Sequence, residues 1–564
     1  MSFSEPSQSS GPFRVACIGG GPGGLFAAIA LARQMPNAQV DVFERNRASD
    51  VFGFGVVFSD ATLDNIERID SVLTDALATD GRHWDSIEVR SDGTTVAAGG
   101  NGMSAIHRKV LLGALHQRAT DLGVRLHFNH PITVDDLDAA GEHDLIIAAD
   151  GANSSVRQRF IDDLGHAVDE ARVKFIWFGT TYDFAGLTFL HERSEHGNFA
   201  VHAYPIGSGL STFIVETDED TWRSAGLDEF DTSQPPGVSD TKSQRYLETL
   251  FADYIDGHKL VANNSRWANF RTRRTRQWAT RGAHSTPVVL IGDAVHTAHF
   301  SVGSGTKMAM EDAAELARSI ANTDDLDTAL NDFQSLRRPQ VARIQDSSLP
   351  SLSWWDHFGE YQRTLDPWQF GFHFFTRALS AEKIKVRDPG FIDSSFGAWI
   401  ERHGADPLHT PLAVGSRRLT SRLLSVTETT QDAMILSDGN ATLRAESQLG
   451  TDNIVLWEAP MSETTSLPDA ERQRLAELSG AAPTAVVVRG GTALTRVLCA
   501  EYLRLTHHIP VIIVEHPSAL KSRRAVNEED DASTLILSGR ADAVAFEPRQ
   551  RAATGTRTHA EATR

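Results

Sequence analysis

The stretch Arg14-Val-Ala-Cys-Ile-Gly-Gly-Gly-Pro-Gly-Gly24 limits what this chain can fold into more than any other. An apolar run passes into Gly19-x-Gly21-x-x-Gly24 and then into an apolar helical stretch. Glu44 closes the next apolar run, Val40-Asp-Val-Phe-Glu44. This is the pattern of a strand, a tight turn and a helix at the start of a βαβ unit. Gly19 allows the turn, Gly21 lets backbone approach a pyrophosphate, and Gly24 lets the helix pack close to the strand. The helix N-terminus offers unpaired N–H groups and a positive dipole end. A carboxylate at position 44 can take both hydroxyls of a ribose. Together these features predict dinucleotide binding; the plainer alternative is a glycine-rich turn.

At 564 residues the chain is too long for one core, so two or more domains are expected. Its 54 basic and 74 acidic side chains give a net charge of −20, which argues against a nucleic-acid or membrane-surface binder. No apolar stretch is long enough to span a bilayer. The Ser-rich residues 1–12 lack the apolar segment of a signal peptide and read as a disordered tail, so a cytoplasmic protein is expected. The two cysteines, Cys17 and Cys499, form no disulfide framework, and no Cys/His spacing suggests a metal.

Residues 13 to about 80 begin as βαβ. Alternation over 82–100, with Asp92-Gly93, predicts a hairpin, and 104–122 reads as an amphipathic helix. Residues 173–217 supply four segments rich in β-branched and aromatic residues, expected as antiparallel strands of a separate sheet. The α/β pattern returns at Pro287-Val-Val-Leu-Ile-Gly-Asp293, before a long helix from about 303 to 320. Past 404 it restarts with four apolar runs (454–457, 485–488, 510–514 and 543–546) alternating with helical stretches, the mark of βα units. Residues from 548 onward are polar and expected to be disordered.

Two further segments bear on which dinucleotide is bound. Asp150-Gly151-Ala-Asn-Ser154-Ser-Val-Arg157 follows one strand; Gly292-Asp293-Ala-Val-His296 follows another and leads to Gly303-Ser-Gly305. Singly each is weak. Asp150-Gly151 also reads as a routine turn, Arg108 as a solvated charge and Asp293 as a helix N-cap. In this order, however, GxGxxG with its acid, DGxxSxxR and GD before a long helix resemble the flavoprotein aromatic hydroxylases typified by p-hydroxybenzoate hydroxylase. The resemblance covers roughly the first 400 residues and implies FAD. By it, Gly19, Gly21, Gly23 and Gly24 surround the pyrophosphate, and Glu44, with Arg45 beside it, binds the adenosine ribose. Val57 and Arg108 lie at the flavin, Asp293 meets the ribityl chain, and Gly303 and Gly305 present amides to the pyrimidine. Asp150 and Gly151 complete the implied cofactor-binding set, Asp150 and Arg157 being chiefly structural with a part in nicotinamide access.

Gly53-Phe-Gly-Val-Val-Phe58, Val201-His-Ala-Tyr-Pro205, Ser211-Thr-Phe-Ile-Val-Glu216 and the segment His299 to Asp312 are similar to a narrower group. That group comprises the salicylyl-CoA 5-hydroxylases and 2-aminobenzoyl-CoA monooxygenase/reductases, and the violacein-pathway monooxygenase shares much of the pattern. Phe300 and Lys307 stand where the wider family has proline and asparagine, which weakens the transfer of a simple phenol as substrate. Thr410 to Arg422 and Ser533 to Asp542 resemble the opening and end of an old-yellow-enzyme barrel, which binds FMN. About 160 residues follow 404, whereas an eight-stranded barrel typically needs about 250. The expected fold class is therefore α/β: a three-layer Rossmann-like FAD domain with an antiparallel substrate sheet (13–403, the sheet about 82–100 and 173–267), then a truncated βα-barrel-like domain (404–547) short of closure and without FMN. Packing or a homodimer contact is its expected role.

The resemblance implies an NAD(P)H- and O2-dependent monooxygenase. It would hydroxylate an activated aromatic ring through a flavin C4a-hydroperoxide, with NAD(P)H lacking a fold of its own. An aryl-CoA such as salicylyl-CoA or 2-aminobenzoyl-CoA is the favoured substrate; a free or carrier-bound aromatic or indolic metabolite is the alternative. A flavin-dependent halogenase would usually carry W-x-W-x-I-P, which is missing here, and a flavoprotein scaffold without turnover is a further alternative. His299, with Phe300, is the first candidate for the catalytic side of the pocket, then His202 and Tyr204, although a lone histidine or a sheet tyrosine is as readily structural. Arg266, Arg271, Arg273, Arg274, Arg276 and Arg281 form a basic cluster. It suits the phosphate of CoA or NADPH or, more plainly, a solvated strand edge.

Overall fold

The computed structural model describes residues 11–548 apart from 52, 61, 62, 236, 449 and 451, so nearly all of both expected tails lies outside the described residues. The chain divides into two compact units, Met1–Arg363 and Thr364–Arg564.

The first unit is built on a six-stranded sheet in the order Ala279–Arg281, Pro287–Leu290, Leu145–Ala148, Arg14–Ile18, Gln39–Phe43, Arg125–His127. All neighbours are parallel except the first pair. Arg14–Ile18 sits between two strands that reach it from opposite sides, which opens a crevice at its carboxyl end. The register then sets the site. Ile18 lies level with Phe43 and with Ala148, and Ala148 with Leu290. Gly19, Glu44, Asp150 and Gly292 therefore leave the sheet along one edge.

The second sheet of this unit is antiparallel over most of its width, with His166–Thr180, Leu210–Thr217, Gly197–Gly207 and Leu187–Ser194 at its centre. Period-two alternation gives it two different faces. Ile176, Phe178, Phe199, Val201, Phe213 and Val215 form a buried apolar core with Leu247 of helix Thr241–Leu250. The opposite face carries Phe175, Trp177, His202, Tyr204, Ile214 and Glu216. The expected hairpin is present, Ile87–Ser91 with Thr94–Ala98, turning at Asp92 and Gly93, both at positive φ. Met103–His107, of which 104–107 are expected from the sequence to open a helix, is a strand paired with Gly55–Ser59, and the helix runs Arg108–Asp121. Cross-strand pairing outweighs helical propensity there.

The second unit begins earlier than the boundary at 404 read from the sequence. Helices Pro367–Phe375, Ala381–Lys385 and Pro389–His403 belong to it. Buried polar contacts account for this: His373 Nε2 lies 3.0 Å from Glu501, Arg540 donates to Thr376 at 3.0 Å, and Ala381 N–H donates to Thr534 at 2.9 Å. The expected failure to close a barrel is corrected. Leu423–Thr429, Ala433–Ser437, Thr442–Glu446 and the four foreseen strands form a closed seven-stranded barrel. A three-stranded meander supplies by hairpins what βα units would need many more residues to supply. Alternate side chains (Leu424, Leu436, Leu443, Leu456, Val487, Ile512, Ala545) fill its interior.

Candidate functional site: a glycine cradle and an aromatic cage

Gly19, at φ +111, has no room for a side chain because a Cβ would strike the Ala149 carbonyl; one on Gly24 would strike the carbonyl of Gly19. These two positions serve close packing of turn, helix and strand. Gly23 does so too, facing Ala309 of helix Gly305–Ala321. Gly21 differs: a Cβ there would meet nothing within 4 Å. Gly21 is also the N-cap of helix Pro22–Gln34 and leaves the helix amides uncapped by any side chain. The cradle is thus open on one side, where N–H groups point outward.

Glu44 lies under this loop. Its Oε2 accepts the Gly20 N–H at 2.8 Å, and its Oε1 accepts the Asn46 N–H at 2.8 Å and Nδ2 at 2.7 Å. Three of its roughly four lone-pair positions are used, so it can offer about one further bond to a ribose rather than the pair expected. Arg45 is exposed.

The second and third turns meet the first. Ser154 is the N-cap of helix Ser155–Arg159; Asp150 Oδ2 accepts the first-turn Ser155 N–H at 2.7 Å, while its Oδ1 is buried without a partner. Gly151 stands at φ +80 beside open space. Buried Arg157 donates to the carbonyls of Asp293 (3.3 Å), Ala294 (2.8 Å) and Ala152 (2.7 Å), clamping both turns together. Gly292 packs on Ala309, the same residue that faces Gly23.

Asp293 is exposed to water, yet desolvation by the surrounding protein raises its carboxyl pKa, against the pull of His296, Arg108 and Arg273. The group is thus reachable yet crowded by protein. Arg108 lies close to it: burial lowers its guanidinium pKa, opposed by the nearby Asp293 and Tyr204. Arg108 makes no hydrogen bond through its side chain among the described residues. At the far end Gly303 (φ +61) touches Val57, the helix from Gly305 starts without a side-chain cap, and the Ser304 hydroxyl is buried without a partner. Open cradle, uncapped helix ends, two orphaned oxygens and an opposite-charged pair fit a cofactor with a pyrophosphate, a polyol and a heteroaromatic ring.

Beyond Gly303 the residues form an aromatic cage. Phe300 has the rings of His299, Phe175, His202, Phe270 and Trp177 at centroid distances of 4.2, 5.1, 5.3, 5.8 and 5.9 Å. Trp355 covers His202 at 4.1 Å. His299 Nδ1 lies 2.8 Å from the Ser301 hydroxyl. Tyr204 instead belongs to a neighbouring apolar cluster with Trp84 and Ile206. Its hydroxyl donates to the Gly55 carbonyl at 3.3 Å, and burial pushes its pKa up to about 12. Behind the cage stands a residue to which sequence reasoning gave no role. Glu216 is 0% exposed, with Oε1 2.7 Å from His202 Nε2, and burial pushes its carboxyl up to about 8, against the lowering effect of His299. Strand alternation was the available signal, because it puts Glu216 on the same face as His202 once the register is known. The buried Trp177 indole N–H has no hydrogen-bond partner either.

A family model described as an FAD binding domain matches residues 13–348, and the chain belongs to that family. It is an FAD-dependent aromatic monooxygenase. Its relatives sharpen the comparison. The chain is 51% identical to a salicyloyl-CoA 5-hydroxylase of a Streptomyces species over 534 residues, 94% of this chain and 99% of that protein. It is 33% identical to the 3-hydroxy-4-methyl-anthranilyl-[aryl-carrier protein] 5-monooxygenase of Streptosporangium sibiricum, over 63% of this chain and 92% of that one. The crystal structure of p-nitrophenol 4-monooxygenase from Pseudomonas putida shares the fold, with a TM-score of 0.52 at 17% identity over 68% of this chain and 98% of that chain. No helix among the described residues is long and apolar enough to cross a membrane.

Proposed function

We infer that this enzyme hydroxylates the ring of an aryl-CoA thioester, with NAD(P)H as electron donor and O2 as the source of the oxygen atom. The observation that carries this reading is the likeness to the salicyloyl-CoA 5-hydroxylase, which extends across both compact units at 51% identity. FAD, when bound, supplies the electron relay and the oxygen transfer. The chain's own residues have four tasks. Gly21 and the amides of helix Pro22–Gln34 hold the pyrophosphate, and Glu44 orders the glycine loop while reaching one ribose hydroxyl. Arg108 and Asp293 fix the middle of the cofactor; Ser304 and the amides from Gly305 receive its pyrimidine edge, where a positive helix end favours negative charge.

The cage around Phe300 stacks the substrate ring and excludes water. His299 takes the proton of the ring's hydroxyl or amino group, and a base so placed typically gives about 10²–10⁴-fold. The Trp177 N–H is a donor for the substrate's carbonyl or hydroxyl. Glu216 holds His202 against the cage wall and keeps a proton of its own at neutral pH, so no bare negative charge faces an electron-rich ring. Incubation with salicylyl-CoA, NAD(P)H and air tests this reading, which requires a hydroxylated thioester; hydroxylation of the free acid at equal rate would instead support a free aromatic substrate.

A further inference from the structure

The basic cluster between Arg266 and Arg281 does not act as one unit. Arg266 clamps the carbonyls of Gln234 and Val238, Arg271 pairs with Glu170 at 2.8 Å, and Arg281 pairs with Asp327. Arg273 is buried and donates to the Arg271 carbonyl at 3.4 Å. Arg274 and Arg276 remain, and they line a cavity of about 480 Å³ in the first unit. A third arginine, Arg338, enters it from helix Leu326–Thr364, whose positions 338, 341, 342 and 345 form one face of the wall.

Arg274 is committed in part: it donates to Gln345 at 2.7 Å and lies 3.4 Å from Asp346 and 4.0 Å from Asp169. Arg338 donates from one nitrogen to the Arg276 carbonyl at 2.7 Å and meets no carboxylate among the described residues. The Arg276 guanidinium makes no hydrogen bond among them, and it lies against Gly165, where any side chain would displace it. At the cavity wall His296 is 2% exposed; its Nε2 is held by Asp312 at 2.7 Å and its Nδ1 has no partner. His166, also in the wall, has a pKa lowered first by burial and then by the charges of Arg157 and Arg273. In a chain of net charge −20, a concave site that gathers three guanidinium groups, one with no hydrogen bond and one with no carboxylate partner among the described residues, is built for a multiply charged anion.

We propose that this cavity binds the phosphorylated adenosine diphosphate end of a coenzyme. The chemistry is shared by an aryl-CoA and by NADPH, and the assignment to CoA rests on the aryl-CoA reading above. The test uses the FAD-loaded full-length enzyme and the double variant R276Q/R338Q, with FAD content as the check of folding; both side chains are exposed at the cavity rim. Calorimetry with adenosine 3′,5′-bisphosphate and with inorganic pyrophosphate should show binding to the wild type, weakened about tenfold or more in the variant by loss of charge-assisted hydrogen bonds. A raised KM for the aryl-CoA alone assigns the site to the thioester; a raised KM for NADPH alone assigns it to the electron donor. Absence of binding of both anions to the wild type, or equal affinity in the variant, overturns the proposal. Arginine-dependent phosphate binding in an enzyme that turns over no thioester would refute the substrate reading and leave the pocket standing.

Discussion

Replacing Glu216 by glutamine should change how stability depends on pH. The carboxyl is wholly buried, with His202, His299 and Asp356 as the charged or titratable groups that act on it, and its pKa rises from 4.5 to about 8. Between those two values the folded protein keeps a proton that the unfolded chain releases. Stability therefore falls as pH rises from about 4.5 to about 8 and is level above. At about 1.36 kcal/mol per pKa unit the whole fall is about 5 kcal/mol at its upper limit, since His202 relaxes toward any charge that forms. Glutamine fills the same space and cannot ionise. The variant should match the wild type near pH 5 and exceed it increasingly up to pH 8, where its thermal midpoint is several degrees higher. Midpoints of the FAD-loaded proteins at pH 5, 6, 7 and 8 measure this. Parallel curves, or a variant less stable at every pH, would refute the view that Glu216 is protonated in the cage.

Other expectations concern the cradle and the ring. Gly21→Ala should leave the apoprotein as stable as before, because its Cβ enters open space, yet weaken FAD binding; Gly24→Ala should fail to fold stably, because its Cβ enters the Gly19 carbonyl. Equal effects of the two in denaturation and flavin titration would contradict this division. Glu44→Ala should cost FAD affinity tens-fold, from the loss of one charge-assisted bond of about 1.5–3 kcal/mol to the ribose; an unchanged titration curve would remove its role. His299→Ala should slow hydroxylation while leaving flavin reduction intact in stopped-flow traces, and normal coupling of NAD(P)H to product would exclude it as the base.

The cradle was legible because its determinants are local. Glycines and the acid after the second strand are fixed by backbone geometry and spacing, and the parallel register brings the remaining two turns to the same edge. The cage was legible only in part. His299, Phe300 and His202 lie in segments with family character, whereas Glu216, Phe270 and Trp355 arrive from other elements through pairing and helix packing that no linear spacing encodes. Tyr204 shows the reverse: its sequence setting resembles that of His202, yet a two-residue step along the strand moves it from the cage to the apolar cluster. Barrel closure went unseen because the strands over 423–446 are short and polar on their outer side, which conceals the alternation that fills the interior. Glu44 was located correctly in the turn, but the bonds it already makes to Gly20 and Asn46 depend on a loop conformation that its spacing does not reveal.

The most direct test is mass spectrometry of the product formed when purified, yellow, FAD-containing enzyme meets salicylyl-CoA, NAD(P)H and isotopically labelled O2. One labelled oxygen atom on the ring of an intact CoA thioester is the predicted result. Protein that binds no FAD, or FAD-loaded protein that consumes NAD(P)H without placing oxygen on any aromatic thioester, would contradict it.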